Sequence, residues 1–511
     1  MYKDRSSQPE FEDFYLPFGG RLRSDNRWVR LAKLLPWDDV EKLYAGKFKD
    51  TQMGAPAIPA RVAFGSLIIK ERTRVTDDEI VLQIQENPYL QYFLGYSGYN
   101  EELPFDPSMM VHFRKRINLD DVARINEKLN LKYRELLKKI KDKNRKRKNK
   151  DKQDPPNSGK LIFDATCAPA DLPYPTDLDL LNDAREKTEK IIDVLHNPLR
   201  GKMKKVRTYR WNARRDFLRI ARKRKPRKKE IRKAIGKQLR YLRRNLKHIK
   251  TLVKYSPLSL LSKDQYKKLL VIHEVYRQQL EMYKRNVNKI ESRIVSLSQP
   301  HVRPIVRGKA GKQTEFGAKL TISVIDGYVF LERLSWENYN ESVDLPVQLE
   351  RFRERFGCYP ESVHVDRIYR NRANMRYCKE RGIRVSGKPL GRPPRLENLS
   401  PKEQKALRDQ FRQDEGFRNW VEGKFGQGKR RFGLGRIMAK RADTSEVVIA
   451  ICLLVMNLEK MLQVIFCRLR FLCLALMRMM RKVTAVPQPL RRALFDGVRT
   501  NVDNVGILQY V

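Results

Sequence analysis

LIFDAT, residues 161–166, is a short continuous apolar run of the kind that forms a central strand, and prolines at 169, 173 and 175 stop it from continuing. The next segment with a clear strand pattern is AKLTISVIDGYVFLERLSW, residues 318–336, where Asp326-Gly327 between β-rich runs signals a hairpin. Residues 177–300, which lie between, read as helix throughout. An isolated strand leaves its backbone donors and acceptors unpaired, so the first run must find its partners across that insertion. No other feature narrows the possible folds as much.

The order after the insertion is two hairpin strands, a helix in SVDLPVQLERFRERFG, a strand in SVHVDR, a helix in NRANMRYCKERG stopped by Gly382, and a strand in IRVSG. A polar, proline-containing loop over residues 388–410 leads to RNWVEGKFGQGKRRFGLGR (418–436) and then to an apolar final helix in TSEVVIAICLLVMNLEKML. An α/β sheet flanked by helices follows. Ahead of it, residues 1–130 read as a compact all-helical module. IPARVAFGSLIIKER is one helix, Thr76 to Glu79 is a capping box opening IVLQIQENPYLQYFL, and Asp106-Pro107 starts SMMVHFRKRI. The last of these helices is expected to expose Arg114, Lys115 and Arg116 to DNA. Residues 131–160 turn lysine-rich and polar and mark a linker, and residues 461–511 read as a helical tail that becomes irregular.

Charge restricts the partners. Lys and Arg total 108 against 60 acids, a formal +48, which repels itself unless a polyanion binds. Residues 202–250 alone hold 23 Lys and Arg against two acids. Within the insertion, Ile231, Ile235, Leu239, Leu242, Leu246 and Ile249 recur at helical spacing, and so do Leu269, Ile272, Tyr276, Leu280, Tyr283, Val287, Ile290 and Ile294 after Pro257. Two such stripes predict an antiparallel basic helical hairpin. The six cysteines show neither a C-x-x-C pair nor zinc spacing with histidine, and the six histidines suggest no ligation. MYKDRSSQPEFEDF does not read as a signal peptide, and the apolar run Val447–Met456 is about half of what a bilayer crossing requires, so a core helix in a cytoplasmic, nucleoid-associated protein is expected.

Three acids stand where acids are costly or conspicuous. Asp164 lies inside LIFDAT and Asp366 ends SVHVD, each a charge in a strand that otherwise buries apolar residues, at a cost of several kcal/mol if unpaired. In a sheet of this order the carboxyl ends of neighbouring strands meet at one crevice. Gly423 to Lys429 nearly matches a nucleotide-binding loop, but Arg430 replaces the hydroxyl residue and no apolar strand precedes it. As a helix at about 100° per residue, the same stretch puts Arg418, Glu422, Phe425 and Lys429 on one stripe roughly 60° wide. Glu422 can then ligate a metal while Arg418 and Lys429, with Arg430 and Arg431 behind, touch phosphates. Three converging carboxylates suit two divalent cations about 4 Å apart. Glycines at 423, 426 and 428 are costly in a helix and are expected where DNA approaches the backbone.

DATCAPADLPYPTDLDLLNDAR (164–185), HVDRIYRNRAN (364–374) and RNWVEGKFGQGKRRFGLGR resemble the three signature blocks of bacterial insertion-sequence transposases of the DDE type, the insertion sequence 5 group within the insertion sequence 4 superfamily. The resemblance implies an RNase H-like catalytic domain built from 161–176 and 301–460, interrupted by 177–300, with Asp164, Asp366 and Glu422 as catalytic metal ligands. The superfamily's Tyr, Arg, Glu, Lys motif falls on Arg418, Glu422 and Lys429, with Glu415 in the tyrosine position. Magnesium or manganese would be the cofactor, activating water against a phosphodiester at the transposon end and then the freed 3′-hydroxyl against target DNA. Double-stranded DNA is the expected partner, and a homodimer is expected because two ends must be handled together. A nuclease of the same fold that cuts without joining, and a non-catalytic nucleic-acid binder, are the alternatives.

Overall fold

The computed structural model describes residues 14–16, 19–48, 56–145, 157–309, 312–387 and 400–484. Six strands form one mixed sheet: β1 (Lys160–Pro169), β2 (Arg303–Lys309), β3 (Lys312–Ile325), β4 (Tyr328–Ser335), β5 (Ser362–His364) and β6 (Arg384–Val385). The order across the sheet is β2-β3-β1-β5-β6, with β4 pairing the other stretch of the same β3 edge. β1 runs antiparallel to β3 from Ile162↔Val324 to Pro169↔Gly317, and parallel to β5. The central strand therefore does find its partners across the insertion. Asp326, at φ 53°, and Gly327, at φ 80°, make the hairpin turn between β3 and β4. β2 is absent from the sequence reading: Pro304 removes a ladder donor and obscures the pattern, a loss that an outer strand tolerates.

Among the described residues, seven helices precede the sheet: α1 (Arg27–Leu34), α2 (Trp37–Ala45), α3 (Ala60–Thr73), α4 (Asp77–Glu86), α5 (Pro88–Phe93), α6 (Met109–Arg116) and α7 (Leu119–Arg145). Thr76 caps α4 as its sequence predicts, its hydroxyl accepting from the Glu79 N–H at 3.2 Å. The predicted single helix after it is two, because Asn87 accepts from the Tyr89 N–H and Pro88 starts α5 afresh. The lysine-rich stretch after Leu136 continues α7 rather than forming a linker, as far as Arg145. After the insertion come α12 (Leu345–Phe356), α13 (Arg372–Glu380), α14 (Pro401–Arg431) and α15 (Ala442–Thr484).

One apolar core joins Leu31, Phe64, Ile68 and Phe93 of the early helices to Phe163, Leu320 and Val363 of the sheet and Ile449 to Leu458 of α15. Buried asparagines pin the joint. Asn457 of α15 accepts from the Val329 N–H at 2.8 Å and donates to the Val329 carbonyl at 2.7 Å and to Asn126 of α7 at 2.8 Å. Residues 442–466 are long and apolar enough to cross a membrane by composition, but 72% of their most apolar window is buried in this core.

The insertion comprises α8 (Asp177–His196), α9 (Arg210–Ala221), α10 (Lys228–Leu252) and α11 (Lys263–Arg285). It has a core of its own, built on Leu181, Ile192, Leu195, Leu242, Leu252 and Ile272. The expected hairpin is present, since Arg232 near the start of α10 donates to the Tyr283 carbonyl and to Asn286 at the end of α11. It is not a two-helix element, however, because α8 packs against both helices through Leu181, Ile192 and Leu195. Nor is the segment helical to 300. Asn286 takes a left-handed conformation at φ 56° and ends α11, which leaves Val287 exposed and off the stripe.

The insertion leaves and rejoins the sheet at one place. Pro169 and Arg303 lie on opposite sides of Gly317 in β3, and a Cβ on Gly317 would come 2.1 Å from the Ala168 carbonyl oxygen. His301, at the point of return, meets Trp336 edge to face at 4.3 Å. Burial, reinforced by Arg303 and opposed by Asp443, pushes the His301 pKa down to about 4. The unfolded chain therefore takes up this proton first, and the associated stability, complete above about pH 6.5, is lost as pH falls toward the folded value. The melting temperature is expected to drop between pH 7 and pH 5. The His301→Phe variant, which keeps a ring on Trp336, should show a shallower drop in the same calorimetric series.

Candidate active site

The β1/β5 ladder pairs Lys160 with Ser362, Leu161 with Val363 and Ile162 with His364. Asp164 and Asp366 each lie two residues beyond that last pair. Asp164 lies on β1 and Asp366 follows the end of β5, so both acids stand just past the last β1/β5 pair on adjacent segments. Asp164 is half-buried, and its carboxylate accepts from the Ala165 N–H at 2.8 Å. Asp366 is exposed and caps the single turn Arg367–Tyr369, accepting from the Arg367 N–H at 2.9 Å. That turn is anchored by Tyr369, fully buried edge-on against Phe163 at 4.8 Å, whose carbonyl accepts from Asn374 at 2.8 Å. Burial raises the Tyr369 phenol far above its ordinary range, so it stays a neutral plug.

α14 covers this face. Ser400 and Glu403 form a capping box that starts the helix well inside the segment expected to be a loop, since a capping box with Pro401 in the first turn outweighs the polar composition. Asp414, Val421, Phe425 and Gly428 are its buried positions, at helical spacing toward the sheet. The Phe417 ring lies 5.1 Å from His364, and the Lys160 ammonium sits 3.8 Å over the same ring. Arg418, on the flank of that stripe, reaches Asp366 at 3.6 Å. Glu422 is one turn further along the helix from Arg418 and exposed.

Arg418 and Asp366 are thus in contact. The three carboxylates are not gathered into a ligand set: among the described residues no three His, Cys, Asp or Glu side chains are grouped closely enough to hold a metal ion. The exposed Arg418 pair is worth little by itself, so Arg418 is free to exchange Asp366 for another anion. Arg430 and Arg431 are exposed at the C-terminal end of α14. The Arg430 carbonyl accepts from Arg74 at 2.8 Å, and Arg431 lies 3.9 Å from Glu459.

In the first helical module only Lys115 is fully exposed as expected. Arg114 is 8% exposed and makes a bidentate pair with Asp77, and Arg116 is half-buried over Phe48 and near the Tyr44 hydroxyl. The run of three basic residues hid this because consecutive positions on a helix point 100° apart, so at least one must face inward.

Reading the sequence also missed a polar cluster beside the site. Arg384 of β6 donates two hydrogen bonds to Asp414 of α14, at 2.7 and 2.8 Å. His364, with no exposed surface, has Nδ1 3.6 Å from the same carboxylate and Nε2 3.1 Å from the Ser362 hydroxyl. Burial pushes the His364 pKa down to about 4 against the pull of Asp414, so the ring is neutral near pH 7. The only sequence signal was an acid two helical turns before Glu422.

Residues 363–459 match the family described as Transposase DDE domain, and residues 17–116 match the family described as Transposase domain (DUF772). The first span takes in Asp366 and α14 with Glu422. The uncharacterized protein ORF8 in the nfe locus of Rhizobium meliloti is 36% identical over 89 residues, 17% of this chain and 42% of that protein. No solved structure matches the chain. The family matches support a DDE transposase of an insertion sequence.

The glycines of α14 divide into two kinds. A Cβ on Gly428 would meet Leu434 at 2.6 Å and the Met456 sulfur at 3.2 Å, so this glycine serves helix packing and not, as expected, the approach of DNA. A Cβ on Gly423 would meet nothing within 4 Å. Gly428→Val is expected to destabilise the fold by about 1–3 kcal/mol through overpacking. Gly423→Ala should stabilise it by about 0.5–1 kcal/mol, the ordinary helical preference. Denaturant titration of the two variants reads both signs.

Proposed function

We propose that this chain is a DDE transposase that cuts phosphodiester bonds at the ends of an insertion sequence and joins the released 3′-hydroxyl to target DNA. The observation that carries the reading is the shared face of β1, β5 and α14. Asp164 on β1 and Asp366 just after β5 lie beyond the last pair of the β1/β5 ladder, a third acid lies on the covering helix, and Arg418 is already in contact with Asp366. Three antiparallel strands followed by two parallel ones across the sheet support an RNase H-like assignment. Membership in the insertion sequence 5 group is part of the same proposal and rests on the three signature blocks.

The donor chemistry fits hard divalent cations such as magnesium or manganese, since all three groups are carboxylates and no thiolate or imidazole is among them. Asp164, Asp366 and Glu422 would hold the cations. Bound there, they would supply Lewis-acid stabilisation of charge on the phosphoryl oxygens and a more acidic attacking hydroxyl. The protein's own part is positioning. Tyr369 and Asn374 fix the turn that carries Asp366, and Phe417 and Val421 seat α14 so that Glu422 looks over the strand ends. Arg418, Lys429, Arg430 and Arg431 meet the phosphates to either side of the scissile bond, with Arg418 exchanging its carboxylate for a phosphate. Gly423, with open space around it, lets the DNA backbone come close to the helix. Lys115 contacts DNA from the N-terminal helices. The basic insertion grips duplex phosphates through exposed side chains such as Arg214, Arg215 and Arg219 on α9.

Cleavage of an oligonucleotide carrying the element's end, in magnesium or manganese, tests the assignment. Asp164→Ala, Asp366→Ala and Glu422→Ala are each expected to lower the rate by roughly 10²–10³-fold or more while leaving DNA binding intact. Full cleavage by Asp366→Ala refutes the site. A covalent product linking the two DNAs separates a transposase from a nuclease that only cuts. Binding should also weaken steeply with salt, with a log–log slope of about −0.9 per phosphate contacted. Replacing Arg214, Arg215 and Arg219 together by Gln should make that slope less negative.

A further inference from the structure

α14 is held to the sheet in two ways. Val421, Phe425 and Gly428 press an apolar stripe against the core, a contact that lacks the directional preference of a hydrogen bond. Ahead of that stripe, three different strands take hold of the helix within a single turn. Arg384 of β6 forks onto Asp414, His364 of β5 lies against both Asp414 and Phe417, and Lys160 of β1 caps the Phe417 ring. Asp414 is 4% exposed and His364 fully buried, so these groups are withheld from solvent and from DNA.

Asp414 is buried while the Arg384 side chain stays 39% exposed, so the cost of desolvating the carboxylate offsets much of the attraction and the pair is a poor source of net stability. What the pair does supply is direction. A planar guanidinium donating two parallel hydrogen bonds to one carboxylate has a single good geometry, which fixes both the rotation of the helix and its position along its axis. Asp414 precedes Arg418 by four residues and Glu422 by eight, so that geometry is passed up the helix to Arg418, which contacts Asp366, and to Glu422 one turn beyond. A rotation by one residue step, about 100°, would carry Glu422 away from the strand ends.

We propose that Arg384, Asp414 and His364 are positioning residues that lock α14 in the one orientation that presents Glu422 and Arg418 to Asp366. The inference rests on the catalytic reading of those groups. It adds a role for a buried cluster that touches neither DNA nor cation, and it predicts that the site's precision can be removed without removing the fold.

The test uses the full chain with Arg384→Met and Asp414→Leu combined, and separately Arg384→Lys, which keeps the charge but loses the fork. Introducing Asp366→Cys and Arg418→Cys into the parent and into each variant allows a short bis-thiol reagent to report their proximity, with the linked peptides quantified by mass spectrometry. The expected result is an unchanged or higher melting temperature for the apolar double variant and unchanged affinity for end DNA. Cross-link yield should fall severalfold, and, in chains with Asp366 and Arg418 intact, cleavage turnover should fall by about 10²-fold, as small misplacements of reacting groups do. Should the double variant not fold, Arg384→Lys carries the same readouts. Parental cross-link yield and turnover in a folded variant overturn the proposal. The cross-link needs no catalysis, so it decides the positioning claim even if Asp366→Ala were to show that the catalytic assignment is wrong.

Discussion

Strand β1 must be paired on both edges, antiparallel to β3 and parallel to β5, and most of the remaining architecture follows from that demand. A parallel neighbour requires a crossover, which α12 supplies between the β3–β4 hairpin and β5. Both faces of β1 are also covered, which explains the apolar character of LIFDAT and makes Asp164 stand out within it. The same pairing sets the end of β5, and with it Asp366, beside the part of β1 that carries Asp164. Chemistry at this site would then be a consequence of ladder geometry as much as of side-chain choice.

Legibility followed the strength of local signals. The Asp326-Gly327 turn, the Thr76 cap and the left-handed Gly382 just after α13 are written in a few adjacent residues, and the structure has them where those residues stand. The two strand acids could be read because a charge inside an apolar run is conspicuous. Features that depend on distant partners could not be read. Arg114 looked like a DNA contact because nothing in its helix announces Asp77, and Gly428 looked like a place for DNA because Leu434 and Met456 come from elsewhere in the chain. The Arg384–Asp414 pair joins residues thirty positions apart with no periodicity linking them. The start of α14 was missed for a different reason, since a polar segment with a good cap forms a helix despite its composition.

The early helices and the sheet share a core, and this bears on how DNA recognition and cleavage would be connected. Asn126, Val329 and Asn457 tie α7, β4 and α15 by buried hydrogen bonds, and Arg72 of α3 pairs with Glu459 of α15. A surface on the early helices is therefore rigidly related to the strand ends, with no flexible joint needed to transmit position. The insertion differs. Its own core encloses Arg185, bonded to Glu189 and Asn182 at 2.6 Å, and its outward faces carry a large share of the chain's positive charge. Self-repulsion there is relieved most when phosphates lie against it, so nucleic acid would steady the bundle as well as be gripped by it.

Gly317 shows how so large an insertion coexists with an undisturbed sheet. With Pro169 on one side and Arg303 on the other, the excursion begins and ends two strands apart, at a point where the backbones pass too closely for any side chain. Such a doorway makes the intervening helices exchangeable. A lineage can lengthen, trim or replace them without re-registering a strand, and diversity among such proteins is expected to collect at this threshold while the sheet behind it stays the same.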